Sequence, residues 1–391
     1  LWYLGDEISH KPDQEFAFPA GYKYDYCNPD VLLNRLSVKN GKVVTPEGLE
    51  YRFIWIPENK RMKPETLERL YTLIEQGATV VASAPRSIAT LVGGEQAQQR
   101  FDKAVEAIWG NAEDGKITAI GQGRLLSGVT IEQALQMLDV KQDVRGNVRW
   151  LHRQVKGADW YFVTPEKRAS FSGEVEFRAE GAAELWNPVT GETTPLNVER
   201  RGEYAVVNLD MPQAGSCFVV FNHKGKQQST DTPQYHTAQA IDGEWNLQFP
   251  DGWGAPAEMK ITELKPWCEL PLTDEGKAFS GSVTYSTTFE LQGDYDNLLL
   301  DLGDVDMIAE VTVNGHTLRP MWCQPYAADI AEYVTQGENT LQVKVTSTWF
   351  NRLVFDASQP EAERKTWTIN GPKATAKLRA TGLMGPVTLK Y

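Results

Sequence analysis

The spacing of apolar positions in the first third of the chain is typical of α/β structure. Apolar runs at 51–57 and 78–82 have the length of buried strands, and between them, over 63–76, leucines recur at helical spacing. A strand, a helix and a second strand joined by short links favour a right-handed crossover between parallel strands. We therefore predict an open doubly wound α/β domain over residues 1–142.

Further helices are predicted in this domain at 96–109 and 130–138. Thr130 is followed three residues later by Gln133, which is the signature of a capping box. The arrangement is similar to the flavodoxin-like or glutamine-amidotransferase-like domains found beside some glycosidase barrels. No glycine-rich phosphate motif follows a strand, and Ser83 begins the loop where an amidotransferase-type nucleophile would require a Cys. We therefore expect a packing or assembly role and no cofactor.

The middle of the chain has the pattern of short antiparallel strands. Apolar and polar residues alternate over 149–153, 159–163 and 204–209, and turn-forming clusters such as 187–191 lie between the runs. Regular spacing of this kind predicts a small antiparallel β-sandwich over 143–226.

The last region follows a polar stretch, 222–234, which we interpret as a linker. Apolar and polar residues alternate over 282–291, and further on Asn314-Gly315 stands between two β-branched runs. An Asn-Gly pair in that setting predicts a type I′ hairpin, because both turn positions require positive φ. Residues 236–391 are predicted to form two facing antiparallel layers.

Several motifs of this last region occur together in one known family. They are a Tyr-x-x-x-Phe strand at 285–289, LDLGDV at 300–305, VNGH at 313–316, GENTLQVKV at 337–345 and TGLMGPVTL at 381–389. In this order they resemble the sugar-binding domain of glycoside hydrolase family 2. The resemblance implies a galactose-binding-like jelly roll and a link to carbohydrate chemistry.

A second resemblance covers nearly the whole chain. Its motifs are LGDE at 4–7, GYKYD at 21–25, the strand at 51–57, LWNP-x-TG at 185–191 and the start of the last domain at 243–249. Together they are similar to the C-terminal half of the large bacterial α-L-rhamnosidases of glycoside hydrolase family 106.

The second resemblance implies that the catalytic carboxylates lie on a (β/α)₈ barrel upstream. The chain shows no set of eight βα units, and its α/β region is shorter than the roughly 250 residues that such a barrel needs. It also opens Leu1-Trp2-Tyr3 without an initiating Met, so we expect a fragment of a longer polypeptide. The expected partners are an oligo- or polysaccharide and that barrel, in the periplasm or outside the cell.

The charge balance excludes other classes of partner. With 39 basic and 52 acidic residues the formal net charge is -13, which repels nucleic acid backbones and anionic membrane surfaces. No run of 18 apolar residues occurs, and the opening residues lack the pattern of a signal peptide. We expect neither nucleic acid nor membrane as a partner.

Neither the cysteines nor the histidines have the spacing of a metal site. The four cysteines are scattered, and we interpret them as buried free thiols; only Cys268 and Cys323 share a predicted domain and could form a bridge in an oxidising compartment. The sequence leaves both alternatives open. Surface or core roles are favoured for the five histidines, His10, His152, His223, His236 and His316.

Two groups of carboxylates are candidates for chemistry. Asp6 and Glu7 are candidates for the edge of an upstream site, although adjacent residues of an extended chain point to opposite faces and a structural acceptor role is favoured. Asp301, Asp304 and Asp306 alternate and could hold a calcium ion through oxygen ligands. The later Gly and Glu of an EF-hand are absent, so no metal is the favoured expectation.

Aromatic and amide residues of the last domain are the stronger candidates for sugar contact. Sugars stack on aromatic rings while polar side chains bond their hydroxyls, and six of the twelve tryptophans fall in this domain. A core position is favoured for Trp245 and Trp267. The post-strand loop of family 2 domains, which reaches the neighbouring catalytic pocket, implies carbohydrate contact in the segment after Thr346. The candidates are Trp322, Trp349, Asn351, Arg352 and Asp356.

These observations predict an auxiliary, non-catalytic fragment of an α-L-rhamnosidase. A stand-alone carbohydrate-binding or assembly protein is the alternative. A complete small hydrolase that uses Asp6 or Glu7 as catalyst is the least favoured hypothesis, because a glycosidase needs two carboxyl groups about 5 to 9.5 Å apart on the two sides of one bond.

Overall fold

The computed structural model describes residues 1–7, 18–57, 61–226, 235 and 238–391. The chain divides into two compact units: the first comprises Leu1–Gly146, Val175–Ala179 and Arg200–Val206, and the second Asn147–Glu174, Glu180–Glu199 and Val207–Tyr391. Most of the predicted linker lies outside the described residues. The boundaries of the three predicted domains stay predictions.

The first unit is built on a six-stranded sheet. Its strands run in the order Ile117–Ile120, Gly123–Leu126, Thr79–Ala82, Ile54–Ile56, Trp2–Tyr3 and Tyr26–Cys27. All neighbours are parallel except the antiparallel edge strand Ile117–Ile120. As predicted, the strands on either side of the first long helix are parallel neighbours, with Ile54 opposite Val80.

Helices lie against both faces of this sheet. Ile54 and Ile56 pack into a core with helices Pro64–Glu75 and Gly94–Trp109, while Trp55, which points the other way, joins a core with helix Ile131–Met137. The opposite directions follow from the two-residue repeat of a strand. Buried apolar side chains on both faces explain why these strands read as continuous apolar runs.

The predicted capping box is confirmed. Gln133 N–H donates to Thr130 Oγ1 at 3.3 Å, and Thr130 N–H donates to Gln133 Oε1 at 2.9 Å. The remaining elements of the unit are helix Pro29–Asn34 and strands Ser37–Lys39, Lys42–Val44, Glu50–Tyr51, Arg61–Met62, Ser87–Ile88 and Val144–Arg145.

A five-stranded antiparallel sheet opens the second unit. Its order is Val148–Val155, Ala158–Pro165, Cys217–Asn222, Ala182–Trp186 and Thr193–Leu196. Three more strands occur in the same stretch of sequence, Phe171–Phe177, Glu199–Arg201 and Tyr204–Met211.

The last region contains two further antiparallel sheets. The six-stranded sheet has the order Glu258–Ile261, Trp245–Gln248, Ser282–Leu291, Gly337–Thr346, Ile308–Val313 and His316–Thr317. The four-stranded sheet has the order Ala238–Ala240, Thr388–Lys390, Leu299–Asp301 and Ala327–Asp329. Apolar side chains of both sheets, Tyr285 and Val343 of one and Leu300 and Leu389 of the other, share one core. The predicted mixture of α/β and all-β structure is confirmed at this level.

A buried hydrogen bond in this core requires a glycine beside it. Trp267 Nε1 donates to the Tyr285 hydroxyl at 2.5 Å, and both side chains are fully buried. A Cβ at Gly382, whose φ is +110°, would lie 2.5 Å from Trp267 Nε1. The segment that carries Gly382 can therefore approach the two rings only because it has no side chain there.

The predicted hairpin is also confirmed. Thr312 pairs with Thr317 and Val313 with His316, which leaves Asn314 and Gly315 as the two turn residues. Their φ angles are +47° and +86°, as a type I′ turn requires.

Short helices complete the last region: Trp267–Glu269, Asp274–Lys277, Ala331–Tyr333, Phe350–Ala357 and Glu361–Glu363, together with the paired strands Asp304–Val305 and Leu383–Gly385. Among the described residues no helix has the length and apolar character needed to cross a bilayer.

Candidate functional site

Four of the five predicted sugar-contact residues lie at one helix. Asn351, Arg352 and Asp356 belong to helix Phe350–Ala357, and Trp349 is its N-cap residue. The family 2 resemblance had implied a loop here, and the structure corrects that expectation. The sequence did carry a helical signal here, since Phe350, Leu353, Val354 and Ala357 recur at helical spacing, but three of the four buried side chains are polar or charged.

Asn351 fixes the chain segment that lies across the helix. Its side chain is fully buried; Nδ2 donates to the Arg379 carbonyl at 2.9 Å and Oδ1 accepts from the Arg379 N–H at 2.8 Å. The guanidinium of Arg379 in turn lies 3.6 Å from the ring centre of Phe350. Asn351 is therefore positioned to hold residues 379–381 and has no face open to a ligand.

Arg352 is a buried cation between two carboxylates. Its side chain is 1% exposed; Nη1 donates to Glu275 Oε1 at 2.8 Å and Nη2 lies 2.6 Å from Asp356 Oδ1. Burial alone lowers the pKa of the guanidinium, but the contacts with Asp356 and Glu275 outweigh it and raise the pKa. Arg352 stays charged, as a buried ion needs partners to be tolerated.

Asp356 and Glu275 are held ionised by the same contacts. Asp356 Oδ2 accepts from Thr366 N–H at 2.7 Å and Thr366 Oγ1 at 2.6 Å. Burial raises the pKa of Asp356, yet Arg352 and Thr366 bring it below its usual value. The pKa of Glu275 is lowered by Arg352 and then by Lys365, whose Nζ lies 2.8 Å from Oε1. We call Glu275, Arg352, Asp356 and Lys365 the arginine network.

Exposed aromatic side chains lie next to the arginine network. The Trp253 ring centre is 5.2 Å from the Arg352 guanidinium carbon and 5.4 Å from the ring centre of Trp349, which is 48% exposed. Trp367 follows Thr366 and is 82% exposed. We call Trp253, Trp349 and Trp367 the aromatic surface: the first two rings contact each other, and the third follows Thr366, which donates to Asp356.

Trp322 occupies a different place. It follows Met321, which bridges to Ala309, and its side chain is 60% exposed. In the described part of the chain its ring has no aromatic neighbour. Its sugar contact stays a prediction.

The two candidates at the start of the chain have separate roles in the first unit. Asp6 Oδ2 accepts from the Lys63 N–H at 2.7 Å, and its Oδ1 accepts from Thr66 Oγ1 and the Tyr3 hydroxyl, each at 2.7 Å. Lys63 is the N-cap residue of helix Pro64–Glu75 and supplies no side-chain cap of its own. Asp6 replaces that cap, whereas Glu7 forms an exposed ion pair with Arg61 at 3.1 Å.

The three aspartates considered for calcium do not converge. Asp301 accepts from Lys390 Nζ at 2.6 Å and from the Gly303 N–H at 2.9 Å, and Asp304 is exposed. Burial raises the pKa of Asp306, against a smaller lowering by Arg379. Among the described residues no three His, Cys, Asp or Glu side chains come together as metal ligands would.

The cysteines are free thiols and two histidines share one carboxylate. Burial raises the pKa of Cys27 and of Cys217 to about 12. Cys268 and Cys323 are unbridged but only partly buried, so the expectation of buried thiols is wrong for these two. The Asp159 carboxylate forms hydrogen bonds with both rings: Oδ1 lies 3.0 Å from His152 Nε2, and Oδ2 lies 2.7 Å from His223 Nε2. His10 and His236 lie outside the described residues.

Sequence reasoning missed the partners that complete the network at the helix. Glu275 lies 77 residues before Arg352, and Lys365 lies 90 residues after Glu275. One local signal was available. If the segment 350–357 is interpreted as a helix, Arg352 and Asp356 stand at positions i and i+4 and can form an ion pair.

Two known families match separate parts of the chain. A family model described as alpha-L-rhamnosidase, glycoside hydrolase family 106, matches residues 3–200, just over half of the 391 residues. The chain belongs to this α-L-rhamnosidase family. A second model, the galactose-binding-like domain of glycosyl hydrolase family 2, matches residues 277–383 and so includes the arginine network except Glu275.

Solved and curated relatives of this rhamnosidase-family chain differ in how much they share. A rhamnosidase from Novosphingobium sp. PP1Y matches 100% of the chain with a TM-score of 0.85 and 32% identity, and the chain covers 38% of it. A Formosa agariphila protein whose name assigns it provisionally to the β-glucuronidases is 32% identical over 197 residues, 43% of this chain and 17% of that protein. The Ruminococcus gnavus β-glucuronidase matches 42% of this chain and 30% of its own, at 20% identity and a TM-score of 0.31. The chain therefore spans well under half the length of these relatives.

Proposed function

We propose that this chain is the auxiliary, non-catalytic part of an α-L-rhamnosidase that degrades rhamnose-containing oligo- or polysaccharide. In this proposal residues 1–142 are an open doubly wound α/β domain, 143–226 a small antiparallel sandwich and 236–391 a galactose-binding-like jelly roll. Their partner is a catalytic barrel of the same polypeptide. Because polysaccharides do not cross membranes, we place the protein in the periplasm or outside the cell.

One observation supports this function more than the others. The rhamnosidase from Novosphingobium sp. PP1Y matches the entire chain at a TM-score of 0.85 and 32% identity, while most of that protein lies beyond the match. An identity of that size with full coverage favours a shared role over a shared fold alone. The role assigned is therefore that of the corresponding portion of a rhamnosidase.

The chemistry of Glu275, Asp356 and Asp6 supports the non-catalytic assignment. A glycosidase needs one carboxyl group that stays protonated at working pH, which requires a raised pKa. The pKa values of Glu275 and Asp356 are lowered instead by Arg352 and its neighbours. Asp6 accepts three hydrogen bonds from its own unit, which is a structural role.

The aromatic surface of Trp253, Trp349 and Trp367 supports sugar contact. A pyranose presents an apolar face that stacks on exposed indole rings. Trp349 and Trp367 expose 48% and 82% of their surface. Asn351, Arg352 and Asp356 are at most 1% exposed, so we assign them to positioning these rings. Trp322 is retained as a further contact.

The experiment compares binding and turnover with the purified chain. Rhamnose-containing oligosaccharides are titrated calorimetrically, and aryl α-L-rhamnosides are supplied to detect hydrolysis. We expect binding without turnover, and Trp349→Ala or Trp367→Ala should weaken binding at least tenfold. Leu91→Ala, which removes another exposed apolar side chain (96% exposed), is the matched control. Turnover by the chain alone would contradict the non-catalytic role, and unchanged binding in both tryptophan variants would contradict the site.

A further inference from the structure

One face of the five-stranded sheet carries a row of aromatic side chains. Phe162 is paired with Phe218 and Trp160 with Val220, and Phe218 is paired in turn with Trp186. Residues opposite each other across strands point to the same face. The ring centres of Trp160 and Trp186 are 4.8 Å apart, and those of Phe162 and Phe218 are 5.1 Å apart. We call Trp160, Phe162, Trp186 and Phe218 the aromatic row.

The aromatic row is not part of a core. Each of its four side chains is partly exposed, whereas Tyr161 and Phe221 on the other face of the same strands are fully buried. The neighbouring strand adds Leu151, paired with Phe162 and 46% exposed. Contiguous exposed apolar surface of this kind is typical of a binding surface.

A cleft of about 520 Å³ lies at the end of the same face. Its walls come from the first strand, the turn after the second strand and the turn before the third; the lining residues are Arg149, Thr164, Pro165, Glu166, Lys167, Arg168, Ala214 and Gly215. Arg149 is paired with Thr164, two residues along the strand from Phe162. The cleft therefore continues the aromatic row. Its volume is within the range of small-ligand sites, about 300–1,000 Å³.

The cleft is positively charged in a negatively charged protein. Arg149, Lys167 and Arg168 face a single acid, Glu166, while the chain as a whole has a formal net charge of -13. None of the three cations forms an ion pair within the described ranges, whereas Arg145, just before the first strand of this sheet, is paired with Glu176. Unpaired cations that converge on one cleft attract an anion.

From this face we propose a second saccharide site, for an oligosaccharide that contains uronate residues. The sugar rings stack on Trp160 and Phe162, and the carboxylate enters the cleft. Arg149 offers a planar fork that matches a carboxylate, and Lys167 adds a point charge. Neutral rhamnose alone would leave these cations unused. The site lies on the five-stranded sheet, whereas Trp349 lies at the start of helix Phe350–Ala357, and its assignment does not depend on the function proposed above.

A galacturonate pentasaccharide is the probe, titrated calorimetrically into the chain at low salt. We expect the double variant Arg149→Glu/Lys167→Glu to weaken binding at least tenfold, and Trp160→Ala to weaken it to a similar degree. The affinity should fall as sodium chloride is raised, because exposed charges are screened. Leu91→Ala, which removes an exposed apolar side chain of the first unit, should leave binding of this probe unchanged.

The matched control is Lys156→Glu, which places the same charge change in the turn at the opposite end of the same hairpin. An equal loss in this variant would show general electrostatic attraction and overturn the proposal. So would equal binding of poly-glutamate, or binding of sulfated dextran without binding of the galacturonate probe. If the double variant unfolds at a lower temperature than the wild type, Arg149→Gln alone decides the matter, with a smaller expected loss of about threefold.

Discussion

Arginines occur in two contrasting settings in the second unit. Arg352 is 1% exposed and lies within 2.8 Å of two carboxylates, whereas Arg149 is exposed at the basic cleft and forms no ion pair among the described residues. An ion taken out of water loses several kcal/mol of hydration, so a buried cation must be paired. An exposed cation carries no such requirement and stays free to bind a ligand.

The same contrast separates structure from binding among the tryptophans. Trp245 and Trp267 are 2% and 0% exposed, as the core interpretation predicted, and Trp267 uses its N–H on Tyr285. Trp349 and Trp367 lie at the surface. A buried tryptophan whose N–H has a hydrogen-bond partner therefore stabilises the fold. An exposed tryptophan whose N–H has no such partner is a candidate for ligand contact.

Replacement of Arg352 is expected to have the largest effect. Arg352→Met leaves Asp356 and Glu275 without their shared cation, and removal of one partner of a buried ion pair costs about 3–5 kcal/mol. The free energy of unfolding is measured from urea transitions followed by tryptophan fluorescence. Lys260→Met, which breaks an exposed pair with Glu244, is the control and should change little.

The two outcomes of this comparison are clearly distinct. If Arg352→Met lowers the free energy of unfolding no more than Lys260→Met does, the buried ion pairs of the arginine network do not stabilise the fold. If the network is a unit, the double variant Arg352→Met/Asp356→Asn should cost less than the sum of the single variants, because contacting residues couple.

Acid should remove the contribution of Asp356. The pKa of Asp356 is lower folded than unfolded, so its stabilisation is complete above the unfolded pKa of about 4 and is lost as pH falls through the folded value. Asp356→Asn should cost about 1.5–3 kcal/mol near pH 7, the range for hydrogen bonds to charged groups. The difference between wild type and variant should stay constant down to about pH 5 and shrink below about pH 4. A difference that grows in acid would reverse the sign that we assign.

Asp6 and Glu7 of the first unit also differ in how they are paired, and smaller effects are expected for them. Asp6→Ala removes the acceptor of the Lys63 N–H at the start of helix Pro64–Glu75, and loss of such a cap costs about 1–2 kcal/mol. Glu7→Ala removes only an exposed ion pair with Arg61 and should be nearly neutral. Thermal unfolding of both variants tests this, and a larger effect for Glu7→Ala would contradict the assignment.

Local rules in the sequence were sufficient for much of the fold. The parallel strands around helix Pro64–Glu75, the capping box at Thr130 and the turn at Asn314 all follow from residues close together in the chain. In each case a few neighbouring side chains decide the backbone conformation. The resemblance to family 106 then supplied the family, which the match over residues 3–200 bears out.

The candidate site could be located but not described in advance. Apolar residues recur at helical spacing in helix Phe350–Ala357, but that repeat does not reveal that Asn351, Arg352 and Asp356 are the side chains buried by the fold. Contacts such as Arg352 with Glu275 and His223 with Asp159 join residues 77 and 64 positions apart. No spacing rule reaches that far, and the aromatic row, which spans three strands, depends in the same way on the strand order.

The smallest effect is expected for Arg149, and it sharpens the comparison with Arg352 most directly. Arg149→Met keeps most of the side-chain length and removes the charge, as Arg352→Met does, but no carboxylate is left unpaired by the change. The urea midpoint should therefore equal that of the wild type within error. Binding of the galacturonate probe should nevertheless weaken about threefold or more. A lower urea midpoint with unchanged affinity for the probe would mean that Arg149 stabilises the fold and does not bind the ligand. The distinction between paired structural arginines and unpaired binding arginines would then be wrong.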